Sequence, residues 1–282
     1  MELTRKFTAF VAATLLMVAM LATTAFAAEG NVDWGKGVIR AKGIGFAKAE
    51  LKKNPGAYRA QARRAAMMDA QRTLAESVKG VHVTSESTMA DLMLQSDVVR
   101  TRVDAIIKGM VEVSSQFFDD GSYEVVLEMP MFGAKDSLSL AAFTPFKDEP
   151  IVSFPQPTDT TIINQPTIVN AHYTGLIIDC RGLGGINPVM SPVIKNANGQ
   201  AIYGHKNLDV DKIIMNGMAS YASDVSDQVS RSRAGNNPLI IKAVKLSDLN
   251  ATPVIAVADA DKILAANQHD KFLENCAVVF VE

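Results

Sequence analysis

The stretch NPGAYRAQARRAAMMDAQRTLAESVKG, residues 54–80, decides how the first half of this 282-residue chain folds. Asn54 is a typical helix N-cap, Pro55 suits the first helical turn, and Gly80 provides a C-terminal stop. At helical spacing one face carries mostly alanine, namely Tyr58, Ala62, Ala65, Ala66, Ala70, Leu74 and Val78. Because alanine side chains let a helix axis come close to a sheet, the stretch predicts a helix packed on strands.

The basic residues of this helix lie off the alanine face. We interpret Arg59, Arg63 and Lys79 as its solvated side rather than as a polyanion-binding surface, because acidic residues are interleaved with them. Asp69 and Arg72, at i and i+3, form a local pair worth about 0.2–0.5 kcal/mol. The net charge of the chain is −2, and −3 without residues 1–27, which argues against a general nucleic-acid binder.

The segments around the helix predict an α+β domain. Residues 34–48 alternate loosely around Gly43 and Gly45, as in a bent strand. Further along, the pattern predicts a strand at 81–88, a helix at 91–108, and strands at 111–118 and 123–131 that flank the hairpin signature of residues 119–122. The order β-α-β-α-β-β predicts an antiparallel or mixed sheet with two helices on one face.

The first 27 residues read as a secretory signal peptide. Arg5 and Lys6 precede an apolar run over residues 7–21, and small residues stand at the cleavage positions around Ala25 and Ala27. The run is short for a membrane-spanning helix, and no later apolar run is longer. We therefore expect no membrane span in the mature protein. With no cysteine near the cleavage site, we also expect no lipid anchor. The expected location is the periplasm or the outer membrane.

Proline content divides the rest of the chain. Five of the eleven prolines lie between Gly133 and Asn170, a segment expected to be a linker or an extended strap without helix. The predicted organisation is therefore a signal peptide at 1–27, an α+β domain at 28–133, a proline-rich linker at 134–170 and a β-rich domain with short helices at 171–282.

Both cysteines, Cys180 and Cys276, lie in the last of these domains. In an oxidising compartment they are candidates for a disulfide bond. The alternative is two buried free thiols that pack as small hydrophobic groups. The sequence leaves both open, because it does not show whether the two Cα atoms come within the ~7 Å that a bond requires.

The sharpest chemical motif is GLIIDCRGLGGINP, residues 175–188. A strand followed by Gly182, Gly184 and Gly185 could cradle a phosphate, but that chemistry needs a helix N-terminus directly behind the loop. Pro188 and Pro192 stand where the helix would begin. We therefore interpret the motif as a turning loop and expect no cofactor.

Other candidate groups give no metal site or nucleophile from the sequence alone. His82, His172, His205 and His269 have no partner at ligand spacing, and the pairs Asp209/Asp211 and Asp259/Asp261 are better explained as helix caps than as calcium ligands. Ser153 and Ser191 lack the G-x-S-x-G context of a nucleophile.

Several of these residues resemble a known family. The run GIGFA from Gly43, the proline at Pro55 and RRAAMMDAQRTLAESVKGVHV are similar to the Lpp-twenty lipoprotein family, whose domain is also similar to the N-terminal domain of flagellar assembly protein T. The resemblance covers about residues 35–132. Its helix motif consists of Arg64, Ala65, Ala66, Asp69, Ala70, Arg72, Leu74 and Gly80.

The resemblance implies a bacterial envelope protein with a non-catalytic role in structure or assembly, in contact with other envelope or flagellar proteins or with copies of itself. Unlike many relatives, this chain lacks the lipid-accepting cysteine. The closing segment, residues 257–281, resembles small domains of pilus and flagellar P-ring assembly chaperones. The alternative function is an exported hydrolase or small-ligand binder, with a site where Asp179, Arg181, His205 and Asp209 would converge.

Overall fold

The structure, a computed structural model, describes residues 30–159, 161, 163 and 171–282. The predicted signal peptide lies outside these residues. The helices are α1 (Pro55–Lys79), α2 (Met89–Gln95), α3 (Asp97–Gly109), α4 (Leu138–Phe143), α5 (Val210–Asn216), α6 (Gln228–Ala234) and α7 (Val257–Asp270). The strands are β1 (Gly30–Asp33), β2 (Val38–Phe46), β3 (Glu112–Phe117), β4 (Ser122–Pro130), β5 (Gly175–Asp179), β6 (Ile194–Asn196), β7 (Ala201–Tyr203), β8 (Ser220–Ala222), β9 (Pro238–Lys242), β10 (Lys245–Ser247), β11 (Thr252–Ile255) and β12 (Val278–Val281). The predicted α+β class is confirmed.

Helix α1 is held against the first sheet through its alanine face. The sheet is antiparallel, in the order β1-β2-β4-β3. Ala62, Ala66 and Ala70 are fully buried, and the helix begins as predicted, with the Asn54 side chain accepting a hydrogen bond from Ala57 N at 3.2 Å. The alanine face is therefore the packing surface. Arg64 is exposed, and Arg63, which is also exposed, forms an ion pair with Glu112 of β3 at 2.7 Å.

Two sequence predictions in this region are wrong. Residues 81–88 form a tight loop with one isolated bridge, because Val83 N and Thr84 N both donate to Ser87 O within the segment. The helix predicted at 91–108 is two helices, α2 and α3. Ser96 ends α2 and caps α3, since its hydroxyl accepts from Val99 N at 3.3 Å.

The C-terminal region has two four-stranded sheets. One is entirely parallel, in the order β8-β12-β5-β9, and the other is mixed, in the order β10-β11-β6-β7. A hairpin turn at Asn198 and Gly199 joins the antiparallel strands β6 and β7. Helix α6 covers one face of the parallel sheet, over a small apolar cluster that includes Ile177, Val279 and Ala234. The other face joins the main core.

The segment between the two sheet regions contains a helix, contrary to the prediction that it would hold none. Helix α4 precedes the first of the prolines at Pro145, and Ser137 caps it by accepting from Leu140 N at 3.2 Å. Its residues Leu138, Ala141 and Phe143 are buried. The prolines begin only where this helix ends, so they do not oppose it.

Residues 147–159, called the strap below, cross the C-terminal region without regular secondary structure. Val152 N donates to Lys206 O at 2.7 Å, and the ring of Phe154 stacks on that of Tyr203 at a centroid distance of 6.5 Å. At the far end of the strap, Asp261 of α7 accepts from Thr158 N at 2.7 Å and from Asp159 N at 3.2 Å. The sequence predicted either a linker or an extended strap for this segment, and residues 147–159 form an extended strap.

Buried residues of the two sheet regions form one continuous core. Trp34 meets Tyr221 edge to face at a centroid distance of 5.5 Å. Ser191 N donates to Val83 O at 2.7 Å, and the Ser139 hydroxyl donates to Ile214 O at 2.7 Å. The loop at residues 81–88 thus serves as a contact between the regions.

Candidate functional site

A group of paired charged side chains lies at the carboxyl end of parallel strand β5, where α/β sheets commonly bind ligands. Arg181 forms a bidentate pair with Asp179, with N–O distances of 2.9 and 2.8 Å, and its remaining Nη1 reaches Asp224 at 2.9 Å. Asp224 follows β8 on the far side of β12. One arginine therefore joins the ends of two strands.

The electrostatics of this cluster favour a closed ion network. Hydrogen bonds from Arg181 lower the pKa of Asp179, and the Ser226 hydroxyl and backbone lower the pKa of Asp224. The hydrogen bond and charge of Asp179, and then the charge of Asp224, raise the pKa of Arg181. All three groups keep their charge at neutral pH, so neither carboxylate is poised to donate a proton as a general acid.

The glycine-rich loop that follows β5 has the turning conformation predicted for it. Gly182, Gly184 and Gly185 all have positive φ, at 81°, 91° and 85°. Residues 181–193, all described, contain no helix. Because no helix N-terminus directs N–H groups at the loop, the arrangement lacks the geometry of a phosphate cradle.

The four residues of the alternative hydrolase or ligand site do not converge as that site requires. Asp179 and Arg181 are paired at the end of β5, whereas Asp209 caps α5 by accepting from Asp211 N at 2.8 Å. His205 lies elsewhere again, with its Nδ1 3.3 Å from the Ser191 hydroxyl and its ring against Phe146. A serine nucleophile in a triad contacts Nε2 of its histidine, so this contact has the wrong ring nitrogen.

The cavity beside His205 is small. It measures about 20 Å³ and is lined by Phe143, Phe146, Ile151 and Leu208 among others. That space holds about one water molecule, well below the several hundred Å³ typical of a small-molecule site.

His205 makes folding stability dependent on pH. Burial, followed by the charge of Lys206, lowers the pKa of this imidazole, while Glu149 acts in the opposite direction. The folded state therefore binds the proton less tightly than the unfolded chain, whose histidine pKa is about 6.5. The neutral imidazole of His205 therefore contributes stability to the folded state above pH ~6.5. This contribution is lost as the pH falls through the pKa of His205 in the folded state.

We expect the free energy of unfolding to be lower at pH 5.5 than at pH 7.5, and His205→Gln to flatten this dependence. Urea unfolding of both proteins across that pH range measures the effect. If the free energy of unfolding changed with pH by the same amount in the wild type and the variant, this prediction would be contradicted.

The aspartate pairs differ from each other. Asp209 is a helix cap as predicted. The predicted cap at Asp259 is wrong, since α7 begins one turn earlier with Ala256 as its N-cap, and Asp261 instead accepts hydrogen bonds from the strap. Among the described residues no three His, Cys, Asp or Glu side chains are grouped to hold a metal ion.

Cys180 and Cys276 are both free and buried in the structure. No bond joins them, which corresponds to the second of the two alternatives left open by the sequence. Burial, with the charge of Asp179 second, raises the pKa of Cys180 to about 12, and burial also raises the pKa of Cys276. Both thiols are therefore protonated and unreactive at neutral pH.

We expect a thiol reagent to modify the native protein slowly and to find two free thiols after denaturation without reductant. The comparison of native and denatured labelling, made on protein exported to an oxidising compartment, measures this. Zero thiols in the denatured, unreduced protein would mean that a disulfide had formed.

The residues of the helix motif connect α1 to β2. Gly43 and Gly45 let the backbone of α1 lie directly on the strand. Asp69 accepts a hydrogen bond from Ile44 N at 3.0 Å, while its other oxygen accepts from Arg72 at 2.8 Å. The sequence suggested only the local Asp69–Arg72 pair. The spacing of Gly43 and Gly45 was the available signal for the closer contact.

These contacts lie within the part of the chain that matches a known family. Residues 40–129 match the model of the LPP20 lipoprotein family. These residues are similar to that family and are called the LPP20-type domain below. The predicted resemblance is thereby confirmed, and the helix motif from Arg64 to Gly80 lies inside the matched range. The match fits an envelope-associated protein outside the cytoplasm, while the predicted lack of a lipid anchor stays a prediction.

The C-terminal region matches a second model. Residues 175–282 are similar to the second domain of Tp0624 of Treponema pallidum. This range contains the parallel sheet and the cluster around Arg181. No curated protein matches the chain. Within the described residues, no helix has both the length and the apolar character needed to cross a membrane.

Proposed function

We propose that this protein is an exported, non-catalytic component of the bacterial cell envelope that acts in structure or assembly through contacts with other proteins. The observation that carries the proposal is the LPP20 match over residues 40–129. The motif residues of that domain are used for packing, since Ala66 and Ala70 are buried under β2 and Asp69 bonds its backbone. The motif that residues 40–129 share with the family therefore serves to build the folded domain.

The arrangement at the carboxyl end of β5 supports the non-catalytic part of the proposal. The charged groups of Asp179, Arg181 and Asp224 are used in bonds with one another. A hydrolase needs a group that is free to accept or donate a proton at the substrate. The polar cluster of this region instead ties two strand ends together.

The finer proposal is a role in flagellar assembly. It rests on the similarity of Lpp-twenty domains to the N-terminal domain of flagellar assembly protein T, which is an argument by analogy of fold. Deletion of the gene in its host, with motility and basal-body completeness scored in the same cells, tests it. We expect incomplete basal bodies, restored by residues 28–282 behind an export signal.

Normal flagella in the deletion strain would remove the flagellar role and leave the general envelope role. That role is tested separately by chemical cross-linking in intact cells, which should join the protein to other envelope proteins. Turnover of a cell-wall, lipid or peptide substrate by the purified protein, abolished by Asp179→Asn, would overturn the non-catalytic proposal.

A further inference from the structure

A short turn between β7 and α5 holds the first half of the strap. The turn consists of His205–Asn207. Lys206 O accepts a hydrogen bond from Val152 N at 2.7 Å, and Asn207 Nδ2 donates to Val152 O at 3.1 Å. Residues 147–153 are exposed and have no regular secondary structure. This half of the strap is therefore attached to the turn by a few hydrogen bonds rather than by burial.

The imidazole of His205 borders the small cavity between this turn and the strap. Residues 149–151 of the strap form part of the cavity wall. Other parts of the wall are Phe143, Leu208 and Ile213, which are buried in the core. Because the core residues are held on all sides and the strap is exposed, displacement of residues 149–151 is the smallest opening that brings water to the imidazole.

The surroundings of the imidazole oppose a positive charge. Lys206, the next residue of the turn, repels a protonated His205, and Glu149 of the strap attracts it. The other close groups are uncharged, namely the ring of Phe146 at a centroid distance of 6.0 Å and the Ser191 hydroxyl at 3.3 Å from Nδ1. Helices α4 and α5 contribute apolar residues to the cavity wall. Burial and Lys206 together outweigh Glu149, which is why the pKa of this imidazole is lowered.

We propose that the strap is a pH-sensitive closure, in which protonation of His205 releases residues 147–153 from the turn. An opening that hydrates the imidazole restores its ordinary affinity for a proton, so a fall in pH through ~6.5 shifts the equilibrium towards the open form. The open form presents the apolar wall of the cavity to solvent. This inference is independent of the proposed function, because it concerns an equilibrium within the chain itself.

The second half of the strap has attachments of its own and is expected to stay in place. Phe154 stacks on Tyr203, and Asp261 accepts a hydrogen bond from Thr158 N at 2.7 Å. These contacts do not involve the turn at residues 205–207. The N–H of Thr158 is therefore an internal reference for the N–H of Val152 in the same segment.

Hydrogen exchange of single amides tests the proposal on the purified protein. It is measured by NMR at pH 7.5 and pH 5.5, and each rate is corrected for the intrinsic effect of pH on exchange. We expect the protection of Val152 N–H to fall by ~2-fold or more at the lower pH. The protection of Thr158 N–H should stay constant, and the change at Val152 should follow the titration of the His205 ring.

Two exposed charges beside His205 provide variants with opposite expected effects. Glu149→Gln removes an attraction for the proton and should enlarge the fall in protection at Val152, whereas Lys206→Gln removes a repulsion and should reduce it. His205→Gln should abolish the fall. His82→Gln, which replaces an exposed histidine in the loop at 81–88, is the matched control and should leave the fall unchanged.

Constant protection of Val152 N–H at both pH values would overturn the proposal, as would a fall that persists in His205→Gln. An equal loss of protection at Thr158 would also overturn it, because the strap would then open as a whole rather than at the turn. The two charge variants keep the test decisive even if His205→Gln does not fold. If Glu149→Gln and Lys206→Gln moved the fall in the same direction, the charge on His205 would not be its cause.

Discussion

Replacing Gly43 by alanine is expected to destabilise the LPP20-type domain by about 3 kcal/mol or more. A Cβ at this position would lie 2.1 Å from Ala70 N and 2.3 Å from Ala66 O. Both atoms belong to the backbone of α1, so no side chain can rotate away, and the helix itself must move. Movement would also break the bond from Ile44 N to Asp69, at 3.0 Å in the native structure.

The same argument applies to Gly45, where a Cβ would lie 2.1 Å from Ala66 N. Gly109 at the end of α3 is a suitable control, because a Cβ there would meet no atom within 4 Å. We expect Gly109→Ala to be neutral or slightly stabilising, since alanine favours a helix. Chemical unfolding followed by circular dichroism compares the three variants. A loss below ~1 kcal/mol for Gly43→Ala would mean that the helix is not held as closely as the structure has it.

This helix-on-strand contact explains why the N-terminal domain was largely predictable. Asn54, Gly80 and the alanine spacing are local signals, and each has its expected role in α1. The loop at 81–88 was not predictable from alternation alone. Val81 and Val83 are buried there, but Val83 O pairs with Ser191 N, more than one hundred residues away.

The C-terminal region was predictable as individual elements rather than as a site. Strand β5 and the helix cap at Asp209 both occur where the sequence indicated. The partner of Arg181 across the sheet, Asp224, was missed because the two residues are brought together only by the parallel order β8-β12-β5. Strand order depends on crossover connections, which leave no local pattern in the sequence.

The same limit applies to Asp261. Its spacing from Asp259 suggested a helix cap, while its actual partners, Thr158 and Asp159, lie about one hundred residues earlier in the chain. The prolines of the strap predicted an extended segment. The structure shows that Asp261 of α7 holds the far end of this segment.

Replacing Asp261 by alanine is therefore expected to release the strap, at a cost of about 3 kcal/mol. The buried carboxylate accepts three hydrogen bonds, from Thr158 N at 2.7 Å, from the Thr158 hydroxyl at 2.5 Å and from Asp159 N at 3.2 Å. Hydrogen bonds to a charged group are worth about 1.5–3 kcal/mol each, and loss of the acceptor leaves the donors without a partner. The contacts of Val152 and Phe154 remain, so the release should be local.

Limited proteolysis and urea unfolding separate the local effect from a global one. We expect protease to cut residues 147–159 of Asp261→Ala many times faster than in the wild type, while the sheets still unfold cooperatively. Asp259→Ala is the matched control, because it removes a carboxylate from the first turn of the same helix without touching the strap; its loss should stay below ~1 kcal/mol. Equal protection of the strap in both variants would mean that Phe154 on Tyr203 and the Val152 backbone bonds hold the segment without Asp261.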